Sequence, residues 1–239
     1  MDYRKSHLNK SYDYDENLKA GGLDTYMLER ENEILHEILP KLIAEFNLKR
    51  HLDFACGTGR ITSIFEKFTT ESVGVDISEN MVSVAKENCK KTTFVIKDLT
   101  SEKFETEPFD LISSFRFFGN AQDELRLAVL KKLNSLMEEN GILIINNHRN
   151  PSSILARISN LFGDKDDADW FCAKMEKQLA DCNFEIIRKI TIGTWLIRHS
   201  IIRDEVYNSK LGKTLDKIFN ISILAFLAPD MIVIARKKT

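Results

Sequence analysis

The stretch His51-Leu52-Asp53-Phe54-Ala55-Cys56-Gly57-Thr58-Gly59-Arg60-Ile61-Thr62 decides how this chain folds. An extended run beginning near Arg50 ends at Asp53-Phe54-Ala55. Two glycines follow one residue apart, and Ile61, Ile64, Phe65 and Phe68 then recur at helical spacing. The pattern reads as strand, tight turn, helix. Gly57 and Gly59 let the chain bend sharply and bring its backbone close to a ligand. The start of the following helix aims unpaired N–H groups at any anion lying there. The turn alone is weak evidence. The third glycine of the dinucleotide fingerprint is missing, and Thr62 stands near its place.

Working outward, strands and helices alternate. Ser72–Asp76 is a second strand, and Ser78 is the N-cap of a helix with Met81, Val84, Ala85 and Cys89 inward. Thr93–Ile96 and Phe109–Phe115 are the third and fourth strands. Asp123 caps a helix that buries Leu127, Leu130, Leu133 and Met137 and ends in a left-handed turn at Asn140-Gly141. Ile142–Asn147 is the fifth strand. Upstream, Met27, Ile34, Leu35, Ile38, Leu39, Leu42, Ile43 and Phe46 mark one buried helical face, which Pro40 is expected to kink or divide. Beyond Pro151 the pattern gives helices over Ser152–Phe162 and Trp170–Asp181 and strands over Phe184–Ile192 and Asp230–Ala235. This is an α/β pattern: a doubly wound, mostly parallel sheet with helices on both faces. The segment Gly193–Pro229 exceeds a plain connection and is read as a lid. Residues 1–239 form one domain: an N-terminal cap and helix (1–46), a ligand-binding core (47–150) and substrate-side elements with the lid and last strand (151–239).

Two further carboxylates sharpen the reading. Asp76 closes the second strand, 17 residues past Gly59, where a carboxylate can accept both hydroxyls of a ribose. Asp98 follows the third strand, where it can accept from an adenine amino group while Leu99 offers its backbone N–H to the ring.

LDFACGTGR, VGVDIS, KDL, FDLISSF and NGILIINN together resemble the class I S-adenosylmethionine (SAM)-dependent methyltransferases. The likeness is to their small-molecule type, which includes quinone and sugar methyltransferases. It covers Leu52–Asn147, with an echo in DMIVIARK. The resemblance implies a Rossmann-like, seven-stranded sheet with an antiparallel last strand. It implies that Asp53, Gly57 and Gly59 hold the methionine moiety of SAM, with Ala55 and Cys56 in the same turn. Asp76 would hold the ribose and Ile77 would lie against the adenine. Met81 would line that pocket, and Asp98 and Leu99 would meet the adenine edge. Phe115 and Arg116 would sit near the sulfonium. One departure matters: the family often places a small polar residue and a histidine after the fourth strand. This chain has Phe115-Arg116-Phe117-Phe118, so the usual catalytic residues do not carry over. The Asn- or Asp-Pro-Pro-aromatic signature of enzymes acting on base amino groups is also absent.

The expected reaction moves a methyl group from SAM to a small-molecule acceptor, an oxygen nucleophile such as a sugar or glycolipid-like hydroxyl. His148, just past the fifth strand, is the candidate base, the alternative being a solvated loop histidine. Arg116 is the second catalytic candidate, and Arg116 and Arg149 suit an acidic substrate group, against a reading as surface charge. Tyr12, Tyr14 and Tyr26 can cap the sulfonium through their ring faces or simply pack on the domain edge. Cys56 is read as a small residue in a crowded turn, and Trp170 and Trp195 as core or lid packing, the alternative being contact with the acceptor. The competing classes are an NAD(P)-binding oxidoreductase of similar fold, a non-catalytic SAM-binding module and a protein methyltransferase.

The composition narrows the partners. The 239 residues carry a formal net charge of −2, so no general nucleic-acid footprint exists and no nucleic acid is expected. Cys56, Cys89, Cys172 and Cys182 form no C-x-x-C pair and complete no metal pattern, consistent with reduced thiols in a cytoplasmic protein. The polar N-terminus is not a signal peptide. The apolar stretch Ile218–Ala235 is broken by Asn220, Pro229 and Asp230, so no transmembrane span is expected. Peripheral membrane contact through Ile221–Leu227 stays open. The sequence fixes no oligomeric state.

Overall fold

The computed structural model describes residues 22–148, 150–153, 156, 169–192, 214, 228 and 230–239. Tyr12, Tyr14, Arg149, Trp195, the Tyr26 side chain, the expected helix after Ser152 and the expected lid, with its apolar Ile221–Leu227, lie outside what is described. The elements in chain order are α1 (Gly22–Phe46), β1 (Arg50–Phe54), α2 (Thr62–Phe65), β2 (Glu71–Asp76), α3 (Glu79–Asn88), β3 (Thr93–Ile96), β4 (Phe109–Ser114), α4 (Asp123–Ser135), β5 (Met137–Asn147), α5 (Cys172–Asp181), β6 (Phe184–Ile192) and β7 (Asp230–Lys237).

Seven strands form one sheet in the order β3-β2-β1-β4-β5-β7-β6. The pairs among β1 to β5 are parallel, while β7 runs antiparallel to both β5 and β6. The expected architecture, antiparallel last strand included, is therefore present. Successive strand residues point to opposite faces, and the core divides accordingly. Ile142 and Ile144 join Ile232, Ile234 and the apolar face of α1 on one side. Leu143 and Ile145 join Val233, Ala235, the buried face of α4 and Trp170 on the other. The α1 face is built from Ile34, Leu35, Ile38, Leu39 and Leu42, each buried. Each contributes roughly 1.5–3 kcal/mol on burial.

Local expectations fail in instructive places. Pro40 does not divide α1, which runs unbroken through it. Pro40 is exposed, so the carbonyl it leaves unpaired faces water. The helix after the glycine turn shrinks to four residues, because past Phe65 the bonds tighten to i→i−3, Lys67 N–H to the Ile64 carbonyl and Phe68 N–H to the Phe65 carbonyl. In α3 it is Val82, not Val84, that is buried beside Met81 and Ala85. Gln122, not Asp123, is the N-cap of α4, which ends at Ser135. Met137 already belongs to β5, and the left-handed Asn140 (φ 62°) makes a bulge inside that strand, where the β4–β5 register jumps. Ser78 caps α3 as expected, accepting from the Met81 N–H at 3.4 Å.

Candidate functional site

The rim where β1, β2, β3 and β4 end is a cleft with about 1080 Å³ of empty space, its open mouth included. Parallel strands deliver their C-terminal loops to one edge, which is where ligands of open α/β sheets bind. Asp53, Asp76 and Asp98 all line this cleft, as do Ala55, Cys56, Gly57, Ile77, Met81, Leu99, Phe115 and Arg116. Of the expected cofactor residues only Gly59 stands behind the wall. A side chain there would lie 3.0 Å from both the Ala85 Cβ and the Cys89 Sγ of α3, and φ is +77°. Glycine at 59 is thus a packing requirement between turn and helix. At Gly57 (φ +53°) a Cβ would meet nothing within 4 Å and would project into open space. That is room for a ligand to touch the backbone.

The acidic residues are held in defined poses. The Asp76 carboxylate accepts from the Gly57 N–H and the Ser78 N–H, each at 2.9 Å, tying the end of β2 to the turn after β1. Asp98 accepts from the N–H and hydroxyl of Thr100 at 2.9 and 2.6 Å. Asp53 is 1% exposed; its carboxylate accepts from Thr62 Oγ1 at 2.5 Å and Ser113 Oγ at 2.7 Å. Burial pushes the Asp53 carboxyl up to about 6, against the lowering effect of those two hydroxyls and of Arg60. Behind it, His51 is fully buried, with Nε2 2.9 Å from Ser113 Oγ and Nδ1 3.0 Å from Ser72 Oγ. The chain Ser72–His51–Ser113–Asp53–Thr62 therefore fixes the floor beneath the glycine turn. Burial holds the Cys56 thiol well above its ordinary pKa, so it stays neutral, in keeping with a small packing residue.

Two non-glycine residues of the cleft, Ala55 (φ 56°) and Arg116 (φ 59°), adopt the left-handed conformation. Asn146, at the end of β5, accepts from the Arg116 N–H at 2.6 Å and donates to Glu31 Oε1 of α1 at 3.1 Å. Glu31 Oε2 lies 2.7 Å from Arg60 Nη2. Asn120 Nδ2 donates to the Arg116 carbonyl at 2.7 Å. Reading the sequence missed Thr62, Ser113, Arg60, Glu31 and Asn146. The signal for Asn146 was available: the polar pair Asn146-Asn147 closes the apolar run Ile142–Ile145.

The two catalytic candidates part company. Arg116 lines the cleft, but His148 does not. The His148 ring sits beyond it, donating from Nδ1 to Asp230 Oδ2 at 2.8 Å, with the carboxylate side chain 5% exposed. Trp170 is wholly buried; it stacks on Phe118 at 5.2 Å and donates from Nε1 to Gln178, which is packing as expected. Asp123, read as a cap, accepts instead from Arg126 and Gln178. All four cysteines are buried and unpaired. Among the described residues no cluster of His, Cys, Asp and Glu could hold a metal, and no helix is long and apolar enough to cross a membrane.

Comparison with known proteins gives the family. A methyltransferase-domain model matches residues 46–223. The chain belongs to the methyltransferase-domain family. Among curated relatives of this methyltransferase-domain chain, demethylmenaquinone methyltransferase of Thermotoga maritima is 27% identical over 138 residues, 57% of this chain and 56% of the relative. The Staphylococcus saprophyticus enzyme of the same name is 33% identical over 113 residues, 44% of this chain and 48% of the relative. The chain thus spans about half the length of the curated relatives it matches. Among solved structures, magnesium protoporphyrin IX methyltransferase from Synechocystis with bound SAH has a TM-score of 0.64. It is 18% identical, and the match covers 98% of this chain and 97% of that one. An N-methyltransferase from Bradyrhizobium japonicum bound to S-adenosylhomocysteine (SAH) has a TM-score of 0.58. It is 11% identical, and the match covers 89% of this chain and 88% of that one. Both likenesses concern the fold.

Proposed function

We propose that this methyltransferase-domain chain binds SAM in the β1–β4 cleft and transfers its methyl group to the hydroxyl of a small molecule, of which a sugar or glycolipid-like alcohol is one class. One observation carries the reading. The three carboxylates and the glycine turn line a single cleft in strand order, with Asp98 at β3, Asp76 at β2 and the turn at β1, the sequence in which adenine, ribose and amino-acid end would lie. Gly57 leaves open the space that the amino-acid end would fill. Bound SAM supplies a methyl group already activated by a positive sulfur. The protein's task is then to orient an oxygen in line with that methyl and exclude water, worth roughly 7–11 kcal/mol when alignment is good. Transfer would form the O–CH₃ bond with an oxygen lone pair as the S–CH₃ bond breaks, the pair of the broken bond staying with sulfur. His148 is the proposed base. With Nδ1–H given to Asp230, its Nε2 carries the lone pair that takes the hydroxyl proton. It would act from the acceptor side, one strand beyond β4.

The test is titration calorimetry with SAH and NADH side by side, followed by methyl transfer from labelled SAM across a panel of hydroxyl acceptors. SAH binding without NADH binding is expected. NADH binding without SAH binding would replace the reading by an oxidoreductase, and SAH binding with no transfer to any acceptor would leave a binding module.

A further inference from the structure

Arg116 is the second residue past the end of β4, and its presentation is costly. A left-handed φ crowds the Cβ of a non-glycine residue, yet Arg116 sits at φ 59°. Two asparagines hold it there, Asn146 taking its N–H and Asn120 capping its carbonyl. The guanidinium lies in the cleft wall, and its Nε is buried with no hydrogen-bond partner. A buried charged N–H left without an acceptor is destabilising. Strain and an unanswered donor at one cleft residue point to something absent. The other cations of the cleft are already answered: Arg60 by the buried Glu31 carboxylate, and Lys97 by the Lys103 carbonyl.

We propose that Arg116 anchors an anionic oxygen group, carboxylate or phosphate, on the acceptor molecule. The proposal rests on the reading of the cleft as a SAM site. In that reading the adenosyl half lies over β3 and β2 and the glycine turn over β1. Arg116, after β4, and the His148–Asp230 pair, at the ends of β5 and β7, continue along the rim away from the nucleoside. Neighbouring strands lie about 4.8 Å apart, so a small hydroxy acid or sugar phosphate spans the interval. Its anion would meet the guanidinium fork, and its hydroxyl would face the His148 side. A planar guanidinium suits this better than an ammonium, because two parallel N–H groups fix the group's direction as well as its charge. The same chemistry has a second source, the carboxylate at the amino-acid end of SAM itself.

Calorimetry on wild type and on Arg116→Asn and Arg116→Gln separates the two. Asparagine tolerates the left-handed backbone, so the fold survives the change. The probes are SAH, methylthioadenosine (which lacks the amino-acid end), and benzoate and inorganic phosphate added to SAH-saturated protein. Benzoate or phosphate is expected to bind loaded wild type and to weaken about tenfold or more in both variants, with SAH affinity held within about threefold. A fall in SAH affinity of about tenfold with methylthioadenosine unaffected would assign Arg116 to the donor and overturn the proposal. Failure of both anions to bind loaded wild type would also overturn it. Failure of SAH to bind wild type would instead remove the cofactor reading of the cleft, and this proposal with it.

Discussion

Replacing His51 by glutamine isolates one part of the protein's response to acid. Above its pKa of about 6 Asp53 is ionised and can only accept from the Ser113 hydroxyl, so Ser113 Oγ then accepts from His51 Nε2–H, and Nδ1 accepts from Ser72. The ring is therefore a neutral donor–acceptor link, stacked on Phe65 at 4.4 Å, and burial holds its pKa down at about 3. A histidine in the unfolded chain takes its proton near 6.5. Below that pH the unfolded state binds a proton that the folded state refuses. The stability tied to neutral His51 is thus complete above about 6.5 and is lost as pH falls toward 3. At pH 5 the loss is about 2 kcal/mol. Asp53 works in the opposite sense. Its folded pKa of about 6 lies above that of a free carboxyl, so its contribution is present at low pH and is lost as pH rises through 6. That contribution is common to both proteins and leaves their difference. Glutamine keeps a donor and an acceptor but does not titrate, so its packing cost is the same at every pH. Urea unfolding at pH 7.5 and pH 5 should show the wild-type advantage shrinking by about 2 kcal/mol. A gap that stays constant between the two pH values would refute the buried, neutral histidine and the proton order deduced from it.

Three further outcomes can be checked directly. Asp76→Ala should cut SAH affinity by about tenfold to a hundredfold in calorimetry and lower the melting temperature as well, because the Gly57 and Ser78 N–H groups lose their acceptor. Ala55→Gly relieves a left-handed alanine and should raise stability by up to about 1 kcal/mol in urea unfolding, against the usual cost of an added glycine. Asp230→Asn should slow methyl transfer about tenfold or more and change its pH profile while SAH affinity stays unchanged; an unaltered profile would leave the His148 contact as a fastening of β5 to β7.

Much of this molecule could be read from the chain, for a physical reason visible in the strands themselves. β1, β2 and β4 are short runs buried on both faces, Asp76 closes β2 and Asn146-Asn147 close the apolar part of β5, so composition alone separates most of the sheet, whereas β3 lies half-exposed at its edge. What escaped was set by partners distant in sequence. Asp123 has the identity and position of an N-cap, yet its carboxylate is drawn to Arg126 of its own helix and to Gln178 and Lys174 of α5, which a local rule cannot weigh. Val82 displaces Val84 because α3 turns a slightly different face to the sheet than a stripe of apolar letters suggests. The site divides along the same line. Asp53, Asp76 and Asp98 were legible because strand ends place them. Ser113 and Thr62, which hold Asp53, were not, since small hydroxyl residues carry no periodic signal.

The N-terminal helix shows how far that division reaches. Its apolar face at Leu35 and Leu39 announces only a packed helix, but Glu31, one turn earlier, carries a buried carboxylate to the cleft. There it neutralises Arg60 and, through Asn146, steadies the backbone of Arg116. A buried charge is tolerated only when paired, so α1 is coupled to the site electrostatically as well as by packing. Each half of that coupling explains the other. Without Asn146 the Arg116 backbone would relax from its left-handed pose, and without Arg60 the Glu31 carboxylate would be a stranded buried charge.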